Sequence, residues 1–204
     1  MLSCVSSAAQ TVAGTALAIV AGYVLGSLPV ADLVARRHGT ALRDAGDRNP
    51  GYWNAKSLLG GRAAVPVFVG DLAKGAVAAA IGRGLSGPWW MGYVAGGAAM
   101  VGHAWPVFAR FRGGRSILAF AGASCVLAPV PAVICLTGCL AISVLSRSFR
   151  WGARVGVFAY PLVQAVFDAR ARVAATGLMM TLIGVRFAMA AAWADRRGSA
   201  RRTV

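Results

Sequence analysis

"SILAFAGASCVLAPVPAVICLTGCLAISVLS", residues 116–146, is an apolar block broken by Pro129 and Pro131. Its reading decides the architecture. A bilayer span needs about 20 apolar residues, fewer where helices bend or shelter one another. As one kinked helix the block crosses a membrane once; as two short helices it crosses twice. Other apolar runs fall at 9–35, 63–84, 88–108, 153–168 and 173–194, so the chain has six spans or seven.

Charge arbitrates, because cytoplasmic loops collect Lys and Arg. With seven spans and the N-terminus outside, 16 loop cations fall on the inner face and three, Arg83, Arg170 and Arg172, on the outer. With six spans the same cations split 11 to eight. The sequence therefore predicts an all-α polytopic membrane protein, a single transmembrane domain over 1–204 with seven helices, its N-terminus outside and its C-terminus cytoplasmic. Polar material then gathers on one side, in loops 36–62, 109–116 and 147–152 and a basic tail at 195–204.

Composition agrees. The 204 residues are 58% hydrophobic with a mean hydropathy of +0.65, and 13% are charged, about half the share of a soluble domain. So few polar side chains cannot cover so apolar an interior, and the lipid bilayer is the expected solvent. The net charge of +15, from 21 Lys and Arg against six Asp and no Glu, follows from the inner loops and not from nucleic acid. Cys4, Cys125, Cys135 and Cys139 have no CxxC spacing, so neither disulfide nor metal is expected, and the N-terminus reads as a retained span. Nothing in the chain sets an oligomeric state.

Two polar stretches carry candidate chemistry. In "RDAGDRNPGYWN", 43–54, the Pro50-Gly51 step forces a turn, and Arg43, Arg48, Asn49 and Asn54 offer donors for a polyol phosphate. The same loop also reads as a capped cytoplasmic segment whose arginines touch headgroups. In "GHAWPVFARFRGGRS", 102–116, Gly113 and Gly114 precede a helix start near Ser116, with Arg112 and Arg115 on either side. Open glycine N–H groups at a helix N-terminus favour phosphate; the bland alternative is a positive-inside loop with a convenient turn.

Within the spans, His103 lies about 8 Å from the helix end expected at Phe108 and serves as donor, proton acceptor or orienter, or as a satisfied core histidine. Asp71 and Lys74, three apart, share a helix face and are expected to pair, about 14–18 Å along their span and deep for an interfacial substrate. Ser27, between Gly26 and Pro29, marks a kink or close helix contact, and Arg186 must face the bundle interior or snorkel. No Ser-His-Asp set, paired carboxylates or metal ligands are present, so a reaction here would rely on anion stabilisation and positioning.

Taken together, these stretches resemble the PlsY-type acyl-phosphate:glycerol-3-phosphate acyltransferases of bacterial inner membranes. "GSLP" at 26–29 looks like the first-span motif of that family. The 43–54 loop is similar to R-x-x-G-S-G-N-x-G-A-T-N, keeping Arg43, Gly46, Asn49, Gly51 and Asn54. "DLAKG" at 71–75 matches D-x-x-K-G, and 102–116 follows G-H-x-x-P-V-F-x-x-F-K-G-G-K-G. The resemblance implies seven helices, no cofactor, and transfer of a fatty acyl group from acyl phosphate to the 1-hydroxyl of glycerol 3-phosphate, giving lysophosphatidic acid at the cytoplasmic face. It implies catalytic roles for His103 and Arg115, and phosphate or substrate contacts from Arg43, Gly46, Asn49, Gly51, Asn54, Arg112, Gly113, Gly114 and Ser116. Ser27, Asp71 and Lys74 would support them.

The departures point to a second reading. Asp47 and Arg48 replace the Ser-Gly of that loop, and Asp47 then needs Arg48 or Arg43 to neutralise it. Arg115 and Ser116 stand for Lys-Gly, and Ser57 stands where the family carries an arginine. Phe187 and Ala190 fall on its C-terminal H-R-x-N segment. A paralogue keeping the fold as a lipid-phosphate binder or partner subunit is the alternative.

Overall fold

Pro129 divides the 116–146 block into two helices. Ala128 turns out of the helix at φ −144° and ψ 79°, and Pro129 takes the first position of the next, where its missing N–H is harmless. The computed structural model describes residues 2–85 and 87–202, with side chains over 9–85 and 87–193. These residues are helical, with no strand among them: α1 Leu2–Gly26, α2 Val30–Arg37, α3 Tyr52–Leu59, α4 Gly61–Gly84, α5 Met91–Ala104, α6 Ile117–Leu127, α7 Pro129–Leu145, α8 Phe149–Phe167 and α9 Arg170–Arg202. A single 3-10 turn covers Val107–Ala109. The side chains of Cys4 and of the 195–204 tail lie outside those described.

Among the described residues, three segments are long and apolar enough to cross a membrane: Ala9–Arg37, Gly61–Gly84 and Arg170–Trp193. Ile117–Leu127 and Pro129–Leu145 are shorter apolar helices. Apolar side chains stay on the outside of α7 and α8, with Leu145 84%, Val166 77% and Leu162 74% exposed. A belt of that kind is stable only against lipid. The chain is a membrane protein.

Several expected boundaries move. The 36–62 stretch is no simple loop, because α3 stands within it. The 147–152 loop shrinks to 146–148, since α8 begins at Phe149. At 195–202 the chain continues as helix instead of leaving as a tail. The third span is the most altered, since α5 ends at Ala104. Pro106 keeps Trp105 out of the helical region (φ −133°, ψ 71°) and ends the helix early. His103 therefore sits on the last turn of α5.

Association between lipid-facing helices depends on close backbone approach. In α4 and α6 the contact is reciprocal: a Cβ on Gly75 would strike the Ala119 carbonyl, and one on Gly122 the Leu72 carbonyl. Gly22 and Gly26 bring α1 equally close to Ala95 and Ala99 of α5. The buried core follows from these contacts, running from Ala79 and Met100 through Phe120 and Ala123 to Tyr160 and Met179. A smaller cluster, with Ala35, Leu42, Ala55 and Val67, seats α2 and α3 on α4.

Replacing Gly75 with Ala should lower stability by about 2 kcal/mol, since the new methyl meets backbone that cannot yield. Gly138→Ala, where a Cβ meets nothing within 4 Å, should be neutral or gain up to about 1 kcal/mol in helix propensity. Thermal unfolding of the two variants in one detergent checks both signs; equal shifts would contradict the packing argument.

Candidate functional site

The recess opened by the early end of α5 is where the polar stretches meet. Its foundation is backbone pairing. Gly113 N–H donates to the Ala104 carbonyl at 3.1 Å and Gly114 N–H to the His103 carbonyl at 3.0 Å, so the turn satisfies acceptors that the helix end leaves free. Only glycine allows this approach: a Cβ on Gly113 would enter the His103 carbonyl, and one on Gly114 the His103 Nε2. On the other side of the turn, Arg186 donates from Nε to the Gly114 carbonyl (3.0 Å) and from Nη2 to the Gly113 carbonyl (2.8 Å), with its guanidinium 5.2 Å from the Trp105 ring centroid. The N–H groups expected to stand open for an anion are thus already spent, and the glycines are scaffold. Arg186, noticed as a lone intramembrane cation, is the clamp.

Ser116 also works as scaffold. Its φ of 62° is left-handed, the conformation for which glycine is the natural occupant, and its hydroxyl donates to the Met100 carbonyl at 2.7 Å. Ser27 is fully buried, with its Oγ accepting from Val107 N–H at 3.4 Å, while Tyr23 Oη donates to the Trp105 carbonyl at 2.9 Å. Through these bonds α1 holds 105–107 in place.

In the other stretch, Asn54 is 2% exposed and fully engaged. Its Nδ2 donates to the Leu42 (2.7 Å) and Ala45 (3.0 Å) carbonyls, and its Oδ1 accepts from Asp47 N–H at 3.1 Å. Gly46, at φ 62°, leaves the space this amide fills. Both residues therefore shape the loop, and the Asn54 amide has both donors and its oxygen engaged. Arg43 makes a bidentate ion pair with Asp32, with Nε to Oδ1 at 3.0 Å and Nη2 to Oδ2, and its Nη1 donates to the Arg112 carbonyl. Asp32 was not among the expected residues; an acid eleven places before Arg43, at the start of a helix ending in two arginines, was the available signal.

Asp47 is neutralised by neither Arg48 nor Arg43. Its partner is Arg115, Nη1 to Oδ2 at 3.3 Å, and its other oxygen accepts from Asn49 N–H at 3.0 Å. Arg115 also lies over the Phe187 ring, 4.8 Å from the centroid, and its buried Nε has no hydrogen-bond partner among the described residues. Arg48, again left-handed at φ 58°, stacks on Trp193.

A cavity of about 360 Å³ joins these parts. Asn49, Gly51, Arg115 and Ser116 line it together with Asp71 and His103. Asp71 pairs with Lys74 at 2.7 Å, as the spacing predicts, and His103 Nδ1 lies 3.5 Å from the same carboxylate without hydrogen-bond geometry. Lys74 Nζ reaches the Leu28 carbonyl at 3.4 Å and braces the α1–α2 break. Although Asp71 is about 15 Å into α4, the shortened α5 lets the cavity reach it. The cavity then continues between apolar walls from α6, α7 and α8, past Phe120, Cys135, Cys139, Gly156 and Tyr160. Arg43 and Arg112 do not line it; they line a separate hollow.

Removal of Asn54 should therefore act on stability. Asn54→Ala leaves two carbonyls and one N–H without partners and should cost about 3 kcal/mol. Asn49→Ala, with no side-chain bond to lose among the described residues, should unfold like the parent. The midpoints of thermal unfolding would reverse that order if Asn54 were a ligand and Asn49 a brace.

Residues 16–197 match the family described as glycerol-3-phosphate acyltransferase. Proteins of that name from Dehalococcoides mccartyi and Rubrobacter xylanophilus are 38% identical over 149 residues and 45% identical over 114, covering 72% and 55% of this chain. Those matches span 64% and 57% of the relatives, so the chain spans less than two thirds of their length. The protein of that name from Desulforudis audaxviator is 33% identical over 83% of this chain and 85% of its own. A solved structure of PlsY, an integral membrane glycerol 3-phosphate acyltransferase in its glycerol 3-phosphate form, superposes with a TM-score of 0.77 at 26% identity, over 84% of this chain and 87% of that one. With nearly its whole length matched, the chain belongs to the glycerol-3-phosphate acyltransferase family.

Proposed function

We propose that this chain transfers a fatty acyl group from acyl phosphate to the 1-hydroxyl of glycerol 3-phosphate, giving lysophosphatidic acid and phosphate. One observation carries the reading: a single cavity joins a polar end, with the unspent Nε of Arg115 and Nδ1 of His103, to an apolar branch between α6, α7 and α8. A phosphate with a long acyl chain has that same division. Family membership and the PlsY likeness support it.

In this reading the acyl chain lies along Phe120, Cys139 and Tyr160, and Arg115 with Asn49 holds phosphate at the polar end. The glycerol oxygen attacks the acyl carbonyl, a C–O bond forms, and the bond to phosphate breaks with its electron pair leaving on phosphate. The hydroxyl proton passes to that departing phosphate. Positioning and cationic stabilisation supply the rate, since the nearby carboxylates are committed to Arg115 and Lys74. His103, backed by Asp71, orients the reacting groups.

We place the chain in a bacterial inner membrane as seven spans, α1 with α2 and then α4 to α9, N-terminus outside and the site cytoplasmic. The separation of α6 from α7 and the distribution of loop cations support this arrangement. A binder without turnover is favoured by one feature, the Asp47 carboxylate already seated on Arg115.

The purified protein, given acyl phosphate and labelled glycerol 3-phosphate, should release lysophosphatidic acid. Arg115→Ala should lower kcat/KM by about 100-fold or more, with Gly138→Ala as an unaffected control. Asp47→Asn should lower the KM for glycerol 3-phosphate, because it frees Arg115 and removes a like charge. Tight acyl phosphate binding without product would decide for the binder.

A further inference from the structure

The second hollow, about 450 Å³, lies between α2, the 40–44 segment and Phe108 to Arg112, and shares no lining residue with the acyl cavity. Four arginines face it: Arg36, Arg43, Arg110 and Arg112. Asp32 neutralises Arg43, while the side chains of Arg36, Arg110 and Arg112 make no hydrogen bond or ion pair among the described residues. Asp44 is the one acid left to oppose them in the lining, so a net positive charge stands unanswered.

The rim is built at a cost. Arg110 and Phe111 are both left-handed, at φ 53° and 58°, and such a conformation costs a non-glycine residue about 1–2 kcal/mol. The Pro106 carbonyl holds the bend, accepting from Ala109 N–H at 3.1 Å and Phe111 N–H at 2.9 Å. No packing gain offsets the strain, because Phe108 and Phe111 are each 58% exposed. With Leu33, 53% exposed, they set an apolar collar beside the arginines. A soluble phosphate has no use for such a collar, whereas a lipid brings tails that cover it.

We propose that this hollow binds the headgroup phosphate of an anionic phospholipid, with the tails lying outside against Leu33, Phe108 and Phe111. Arginine forks match phosphate oxygens, and basic pockets at the cytoplasmic boundary of a membrane protein suit anionic headgroups. The site is distinct from the one where chemistry occurs, and it rests on the membrane placement proposed above.

The test uses the full chain in a neutral detergent, with lipid retention read by native mass spectrometry. Phosphatidylglycerol should be retained at least tenfold better than phosphatidylcholine. Arg36→Ala combined with Arg110→Ala should remove that preference and leave acyl transfer in neutral detergent unchanged; the paired glutamine variant serves if the alanine protein does not fold. Millimolar inorganic phosphate should not displace the lipid. Unchanged preference in the double variant, equal retention of both lipids by the parent, or displacement by inorganic phosphate would each overturn the assignment, the last marking a soluble-phosphate site. Lipid retention is measured without substrate, so an inactive protein would count against the acyltransferase reading alone.

Discussion

The turn at Gly113 and Gly114, laid against the last carbonyls of α5, is the constraint on which the site depends. A helix that stops inside a bundle leaves acceptors with no water to satisfy them. Here the returning chain supplies the donors, and its own carbonyls are taken by Arg186. That double satisfaction permits α5 to end at Ala104 and so creates the recess. It also fixes the next two residues, placing Arg115 beside Asp47 and Ser116 against Met100. Cavity depth, the floor at His103 and the position of the principal cation all descend from one stretch of backbone pairing.

Electrostatics in the rest of the bundle follow from scarcity. The described acids act chiefly as anchors: Asp32 for Arg43, Asp47 for Arg115, Asp71 for Lys74 and Asp168 for Arg172. Each pair costs desolvation where it is buried, and two of them, Asp32 with Arg43 and Asp47 with Arg115, tie together segments that apolar packing alone would leave free to slide. The committed carboxylates leave little room for a protein base, which is consistent with the proposed reaction, whose leaving group arrives with the substrate.

Much of the fold was legible because it depends on local signals. Pro129 splits the 116–146 block, Asp71 and Lys74 pair at helical spacing, and Ser27 and Pro29 break the first apolar run. The site was legible as a set of segments but not as a division of labour. Spacing shows that Asn54 and Gly113 sit among donors; it does not show that tertiary hydrogen bonds have consumed them. Nor does it show that Arg43 and Arg112 turn to a different hollow than Arg115, since that depends on Arg43 pairing with Asp32 and reaching across to the Arg112 carbonyl, 69 residues further along the chain. Phe187 looked like the loss of a polar motif, and in space it lies flat against the key arginine.

The left-handed residues Arg48 and Ser116 carry torsions for which glycine is the usual occupant. Each side chain makes a contact that glycine lacks: the Arg48 guanidinium lies over the Trp193 ring, and the Ser116 hydroxyl donates to the Met100 carbonyl. The awkward torsion is thus accompanied by a tether that a bare hydrogen could never form. Glycine at either place would relax the backbone and undo a fastening in the same stroke.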